Sequence, residues 1–319
     1  MKVRLFLAFL FLMGSFHLYA QDVKVLTMNV LNSVLHGGWN DYNWSKEDGR
    51  TRGQKTVEVI IKSQADIICI QEYLHNNEWI KEELERTTGE KWNIRILPRN
   101  CAIISKYTIL PHGNMFLTPI KLTSGRVINV ISSHQFVYTY LPYDLSNGMN
   151  AKDACQRAIK YNQNAYWKAI VEEMNGAMER KEPVILTGDF NEPSHLDYTS
   201  QAKKLGFVQT DKLSGLMSNI LIDEMGMKDI WNERRMADKK DECSLRGMTW
   251  SPTTWDYKKG KDDQRIDFIY YSSKDFEYIA AKLVGETPIT QIEGDCVDLQ
   301  INRWPSDHRA VLGTLRLLK

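Results

Sequence analysis

Past its first twenty residues the sequence contains no long apolar run. A helix that crosses a bilayer needs about 20 apolar residues, so the rest of the chain offers no span. Cysteine is scarce, with five residues, no CxxC pair and no cysteine–histidine spacing of a zinc site. Glycine (19) and proline (9) are too few for a linker-like or collagenous chain. Neither sign of charge dominates, because 41 Lys and Arg face 40 Asp and Glu for a net +1. That balance argues against a basic nucleic-acid coat and leaves room for a local basic cleft. What is there is a 319-residue chain, 43% apolar and 25% charged, average values for a soluble globular protein.

The first twenty residues read as a secretory signal. Lys2 and Arg4 precede nine uninterrupted apolar residues, Leu5–Met13, and Ala20 offers a cleavage point before Gln21. Leu18 departs from the small residue preferred near such a site. Cleavage after Ala20 is expected, without lipid modification or stable membrane insertion, giving a secreted or periplasmic protein. Removing Lys2 and Arg4 from the 41 basic residues leaves 39 against 40 acidic ones, or −1. Export permits disulfides. Cys69 and Cys101 lie in apolar runs and read as buried thiols, and Cys155 sits on a helical pattern. Cys243 and Cys296 lie in polar segments and could bridge.

Strands and helices alternate through residues 21–319. Strands are expected at Val23–Val30, Asp66–Gln71, Ile94–Leu97, Ala102–Ser105, Val127–Ser133 and Val184–Thr187, and at Arg265–Tyr271, Tyr278–Leu283 and Ala310–Leu317. Helices are expected at Thr51–Gln64, Glu78–Thr87 before Gly89, Ala151–Met178, Tyr198–Lys204 and Ile220–Asn232. There is no repeat of solenoid length and no Pro-, Gly- or Ser-rich linker. The interleaving predicts one α/β domain.

Six polar clusters sit at strand ends or within strands. They are Asn29 after LTM, Gln71-Glu72 after DIICI, His134 after VINVISS, Gly188-Asp189-Phe190-Asn191 after VILT, Asp267 within RIDFIYY, and Ser306-Asp307-His308 before AVLGTLRL. Open α/β sheets bind ligands at the ends of their strands. Hard carboxylate and amide oxygens suit magnesium, manganese or calcium. Singly, each is a turn residue, a solvated carboxylate or a satisfied histidine. Asp267 is harder to dismiss, because a carboxylate between apolar neighbours needs a partner. Arg265, two residues away, and a histidine from another strand are the two candidates.

The ordered set TMN, QE, SSH, GDFNEP, RIDFIYY and SDH resembles the endonuclease/exonuclease/phosphatase superfamily, from Asn29 to His308. That superfamily includes pancreatic-type deoxyribonucleases, apurinic endonucleases, neutral sphingomyelinases and inositol polyphosphate 5-phosphatases. NCAIISKYTI, GMTW at 247–250 and Arg157 also look familial, whereas Gln135 stands where an apolar residue is common. The resemblance implies a four-layer α/β sandwich, two packed mixed β-sheets flanked by helices. It implies a metal-dependent hydrolase of phosphoester bonds, with Mg2+ as cofactor and Mn2+ or Ca2+ as alternatives. Glu72 is then the main metal ligand with Asn29 beside it, and Asp307 completes this site or a second one. His308 is the general base, oriented by Asp267. Asp189 orients the nucleophile or moves its proton, Asn191 donates to a phosphoryl oxygen, and His134 contacts the phosphoryl group and serves as general acid.

The substrate is less legible. Aromatic residues cluster at Phe136–Tyr143, at Trp39, Tyr42 and Trp44, and at Trp250, Trp255 and Tyr257. They either stack bases, sugars or lipid at a cleft rim or pack the loops together. Tyr138, Tyr140, Trp250 and Arg157 are the candidate substrate contacts. A nuclease-like phosphodiesterase acting as a monomer is the leading expectation. A phosphatase or phospholipase-like enzyme on sugar, inositol or lipid phosphates, and an inactive surface binding module, are the alternatives.

Overall fold

The computed structural model describes residues 20–31, 52–73, 78–135, 139–250, 264–287 and 292–318. The expected signal segment before Ala20, together with Trp39, Tyr42, Trp44, Tyr138, Trp255 and Tyr257, lies outside them. Among the described residues no helix is long and apolar enough to cross a membrane.

Two sheets form the centre. The first has seven strands: β1 (Gln21–Asn29), β2 (Ile67–Gln71), β3 (Asn93–Leu97), β4 (Cys101–Ser105), β11 (Phe276–Gly285), β12 (Leu299–Gln300) and β13 (Ala310–Leu317), in the order β12-β11-β13-β1-β2-β4-β3. The second has six: β5 (Thr108–Ile109), β6 (Thr118–Lys121), β7 (Val127–His134), β8 (Val184–Asp189), β9 (Met227–Asp229) and β10 (Asp267–Ser272), in the order β5-β6-β7-β8-β10-β9. Both sheets are mixed. β1 runs parallel to β2 and β7 parallel to β8, whereas β13 and β10 join them antiparallel.

Alternation along the strands separates three apolar layers. Val23, Val25, Ile67, Cys69 and Ile103 meet Ile128, Val130, Ile185 and Ile269 between the sheets. The opposite set, Leu26, Met28, Ile68 and Ile70, packs outward on α1 (Arg52–Ser63) and α2 (Trp79–Thr88). On the other side Ile131, Leu186 and Phe268 pack on Trp167, Ile170 and Met174 of α5 (Ala165–Glu179). Helix, sheet, sheet, helix is the four-layer sandwich that the sequence resemblance implied. Gly89 ends α2 with φ 71, a left-handed conformation that glycine adopts freely.

Some boundaries differ from expectation. The expected helix Ala151–Met178 is two helices, α4 (Ala151–Asn162) and α5. Asn162 turns inward, its Nδ2 donating to the Thr139 carbonyl at 3.2 Å. Asn164 then caps α5, accepting from Tyr166 N and Trp167 N, a local bond that competes with helix continuation. The segment expected as helix Ile220–Asn232 is a π-helical turn Ile220–Glu224 that continues α7 (Met217–Asn219), then strand β9 and the start of α8 (Ile230–Asp238). Asp229 caps α8 by accepting from Trp231 N. The short helices α3 (Leu141–Ser146) and α6 (Ser200–Lys204) complete the set used below. Cys243 and Cys296, candidates for a bridge, are free thiols like the other three cysteines.

Candidate active site

The site is built at the end of both sheets where β1, β2, β7 and β8 stop. His134, Asp189 and Asp267 are register partners on three neighbouring strands, β7, β8 and β10. Residues on one rung of a sheet project to one face, so the fold itself gathers these three side chains. β1 and β2 deliver Asn29 opposite Gln71, and Glu72 follows at once. Gly188 is required just beneath, because a Cβ there would lie 1.9 Å from the Ser133 carbonyl oxygen. Under the pit the sheets are stitched by polar bonds. Gln71 Nε2 donates to Ser132 Oγ at 3.0 Å and to Thr27 Oγ1 at 3.1 Å, and Ser132 Oγ donates to the Ile70 carbonyl.

Asn29 joins the two halves. Its Nδ2 lies 3.0 Å from both Glu72 Oε1 and Asp189 Oδ2. His134 Nε2 stands 3.8 Å from Glu72 Oε1 and 3.7 Å from Asp189 Oδ2. On the other flank His308 Nε2 is 3.8 Å from the same Asp189 oxygen, and His308 Nδ1 is 2.9 Å from Asp267 Oδ2. Asn191 Nδ2 donates to the Gln135 carbonyl at 2.9 Å and sits 3.4 Å from His134 Nε2. Asp307 Oδ2 accepts from Trp250 Nε1 at 3.3 Å, and its Oδ1 is 4.0 Å from His308 Nε2. Asn29, Glu72, His134, Asp189, Asn191, Asp267, Asp307 and His308 thus converge on one pit.

Supporting groups come from residues the motif reading passed over. Thr249 Oγ1 accepts from Asp267 N and Ile266 N. Ser306 Oγ donates to the Asn29 carbonyl and accepts from His308 N, tying the SDH segment to β1. GMTW and SDH carried that signal, because a hydroxyl beside a turn readily bonds backbone. Glu72 and Asn191 have left-handed backbones, φ 58 and 50. A residue with a Cβ is disfavoured there, and such strain collects at working sites.

The partner of Asp267 is His308, not Arg265. Arg265 turns away to Asp229 at 2.5 Å and to Asp197 at 3.0 Å. Of the candidate substrate contacts, Trp250 lies with its ring 6.2 Å from that of His308, and Tyr140 stands edge-on to Trp250 at 5.5 Å. Arg157 is on α4, paired with Asp144 Oδ1 at 2.9 Å on the exposed side of α3.

The electrostatics follow from burial. Asp189 is 1% exposed, and loss of solvent pushes its carboxyl up to about 8, with nearby His308 opposing the rise. Burial also raises Asp307. His134 is held below its usual value by burial, which outweighs the pull of Glu72. Burial acts to lower His308 as well, but Asp267, Asp189 and Asp307 around it outweigh that and raise it.

Residues 26–308 match the family model described as Endonuclease/Exonuclease/phosphatase family. The chain belongs to that family. Its members are metal-dependent phosphoester hydrolases, and so is this enzyme. An uncharacterized protein of Caenorhabditis elegans is 26% identical over 314 residues, covering 92% of this chain and 90% of its own. A family protein from Bacteroides thetaiotaomicron has the same fold, with TM-score 0.55 and 16% identity over 94% of this chain and 100% of that one. D. rerio TDP2, complexed with a single-stranded DNA product, matches with TM-score 0.51 and 14% identity over 92% and 98% of the two chains.

The pit fits a divalent cation on its donor chemistry. Ligand atoms of Glu72, His134 and Asp189 lie within 4.8 Å of one another, as do those of Asp189, Asp267 and His308. Carboxylate oxygens of Glu72 and Asp189 dominate the first group, with the Asn29 Nδ2 turned to both and its Oδ1 accepting from Leu31 N. In the second, Asp267 Oδ2 is already engaged by His308 Nδ1.

Proposed function

We propose that the chain is an exported, magnesium-dependent phosphodiesterase of the nuclease type, cleaving by in-line attack of water activated at His308. The observation that carries this reading is the position of Asp189, one buried carboxylate oxygen flanked by His134 at 3.7 Å and His308 at 3.8 Å. Two imidazoles close to one carboxylate oxygen can supply the base and the acid that an in-line displacement uses. Manganese and calcium suit the same donors, and export rests on the N-terminal charged and apolar segment.

Glu72 and Asp189 are the residues that would hold the ion, joined by Asn29 once its carboxamide turns over to present Oδ1 in place of Nδ2; when bound, the ion offsets the substrate's negative charge and polarises a phosphoryl oxygen. Asp267 holds Nδ1 of His308, fixing the tautomer that leaves Nε2 facing Asp189. Asp189 orients the water that His308 deprotonates from its neutral form, the form that the carboxylates around it disfavour while no cation offsets them. Asn191 offers its amide N–H to a non-bridging oxygen, a neutral donor suited to charge developing in the transition state. His134 protonates the leaving oxygen from its charged form, which burial disfavours and the Glu72 carboxylate favours. Trp250 and Tyr140 form an aromatic wall beside His308, a surface on which bases stack. A protein of this fold, D. rerio TDP2, is known with a single-stranded DNA product, and nucleic acid is the substrate class we assign.

The test is hydrolysis by the purified chain of bis(4-nitrophenyl) phosphate with magnesium, then with chelator. Plasmid DNA, single-stranded DNA, RNA, sphingomyelin and inositol phosphates are run alongside. Metal-dependent cleavage of the diester and of a nucleic acid is expected. Cleavage confined to sphingomyelin or inositol phosphates would replace the substrate assignment. No turnover with any metal would favour an inactive binding module.

A further inference from the structure

The residue that follows His308 is a fully buried cation. Arg309 is 0% exposed and is among the largest side chains that the fold encloses completely. Its Nη1 and Nη2 fork onto Asp295, at 2.6 Å to Oδ1 and 3.0 Å to Oδ2. Nε and Nη2 donate to the Glu286 carbonyl at 3.2 and 3.0 Å, and Nη1 donates to the Met248 carbonyl at 3.3 Å. The end of β11 is shaped to admit this side chain, because a Cβ on Gly285 would lie 2.6 Å from Arg309 Cγ.

These contacts close a ring around the proposed base. Met248 leads into Thr249 and Trp250. The Thr249 carbonyl accepts from Arg309 N at 2.7 Å, and Thr249 Oγ1 accepts from Asp267 N at 3.1 Å. Asp267 Oδ2 stands 2.9 Å from His308 Nδ1, and His308 is joined to Arg309 by the chain itself. Trp250 shares a backbone bridge with His308 and donates from Nε1 to Asp307. The acidic end of the fork is fixed from behind. The Gly294 carbonyl, next to Asp295, accepts from Arg246 N at 2.9 Å, two residues before Met248.

A buried ion pair is weak evidence of stability, because apolar side chains of similar volume often fill the space as well. What a forked guanidinium adds is direction: its planar donors fix angle as well as distance. Direction matters at a reacting centre, where a displacement of about 1 Å costs roughly 10²-fold in rate.

We propose that Arg309, gripped by Asp295, is a positioning residue for the base: it holds segment 248–250 against the SDH segment and so keeps Asp267 aligned with His308 Nδ1. The inference rests on the reading of His308 as the base. Arg309 acts through Thr249 and Asp267, and its effect is on the aim of the imidazole.

The test separates aim from stability. Arg309→Lys keeps the charge and loses the fork. The double variant Arg309→Met with Asp295→Leu replaces the pair by apolar side chains and leaves neither partner buried alone. Circular dichroism gives the folded fraction, to which every rate is scaled. Proton NMR of the metal-free protein follows the downfield Nδ1–H resonance of His308, assigned by its loss in His308→Ala. Turnover of bis(4-nitrophenyl) phosphate with magnesium gives kcat and KM. Both variants move the resonance upfield. The scaled kcat falls about threefold in Arg309→Lys and about tenfold or more in the double variant, with KM close to native. A pair that is only a structural tie would lower the folded fraction or the melting temperature and leave the resonance and the scaled kcat as they are. That result in either variant overturns the proposal, and so does a moved resonance with native kcat. If the double variant does not fold, Arg309→Lys decides. Absence of hydrolysis by the native chain would sink the phosphodiesterase reading, and the resonance would then decide alone whether Arg309 aims the imidazole.

Discussion

Two buried charge clusters lie within a few residues of each other in sequence and behave in opposite ways. In one, Arg235 and Arg265 grip Asp197 and Asp229, with contacts of 2.6 Å from Arg235 to Asp197 and 2.5 Å from Arg265 to Asp229. The two arginines hold Asp197 below the ordinary carboxylate range against the upward push of burial. In the other, Asp189, Asp267 and Asp307 have only histidine as ionic partner among the described residues, and burial drives Asp189 up to about 8. The first cluster is neutralised from within and is a structural tie. In the second, burial pushes Asp189 toward its protonated form, because among the described residues no arginine or lysine pairs with it. A buried charge costs free energy unless something pairs with it, and at this pit the missing partner is a cation from solution.

The sharpest way to break this contrast is to remove one acid from each cluster. Asp189→Asn is expected to lower hydrolysis of an aryl diester by about 10³-fold or more. The metal-free variant unfolds no earlier than the native chain, because a buried carboxylate without an arginine or lysine partner has been taken away. Thermal unfolding followed by circular dichroism, beside the rate assay, checks both halves. His308→Ala gives the same loss of rate with the fold retained.

Arg265→Met should do the reverse. Removing one partner of a buried ion pair typically costs about 3–5 kcal/mol, read here as a lower denaturant midpoint. Residual folded protein should still turn substrate over. An Arg265→Met protein as stable as the native chain would dissolve the distinction drawn above.

Glu192, next to Asn191, extends the comparison to stability against pH. It is 3% exposed and its Oε1 accepts from Met217 N at 2.7 Å. Burial raises its pKa from 4.5 to about 7. A raised carboxyl contributes stability that is fully present below 4.5 and is lost as pH climbs through 7. The loss across that window is of order 3 kcal/mol. Glu192→Gln removes this slope, so urea unfolding of the variant should depend less on pH between 4.5 and 8. An unchanged slope would show that Glu192 does not carry it.

Much of this was legible in the residues. The layers follow from period-two alternation in runs such as Val23–Val30, and the site residues stood at strand ends or, for Asp267, within an expected strand, in motifs that the resemblance assigned. Other features depend on contacts between distant segments. Arg265 is two residues from Asp267 in sequence, yet it serves the other cluster, because Asp229 and Asp197 arrive from distant elements. The break in Ala151–Met178 arises from Asn162 reaching Thr139, and local helical periodicity does not register that pairing.

Metal titration tests the central claim most directly. Manganese is titrated calorimetrically into the native chain, Asp189→Asn and Asp197→Asn. Saturable binding to the native chain, weakened at least tenfold in Asp189→Asn and retained in folded Asp197→Asn, is the predicted result. Equal binding by all three proteins, or none by the native chain, would contradict the account of the pit as a cation site.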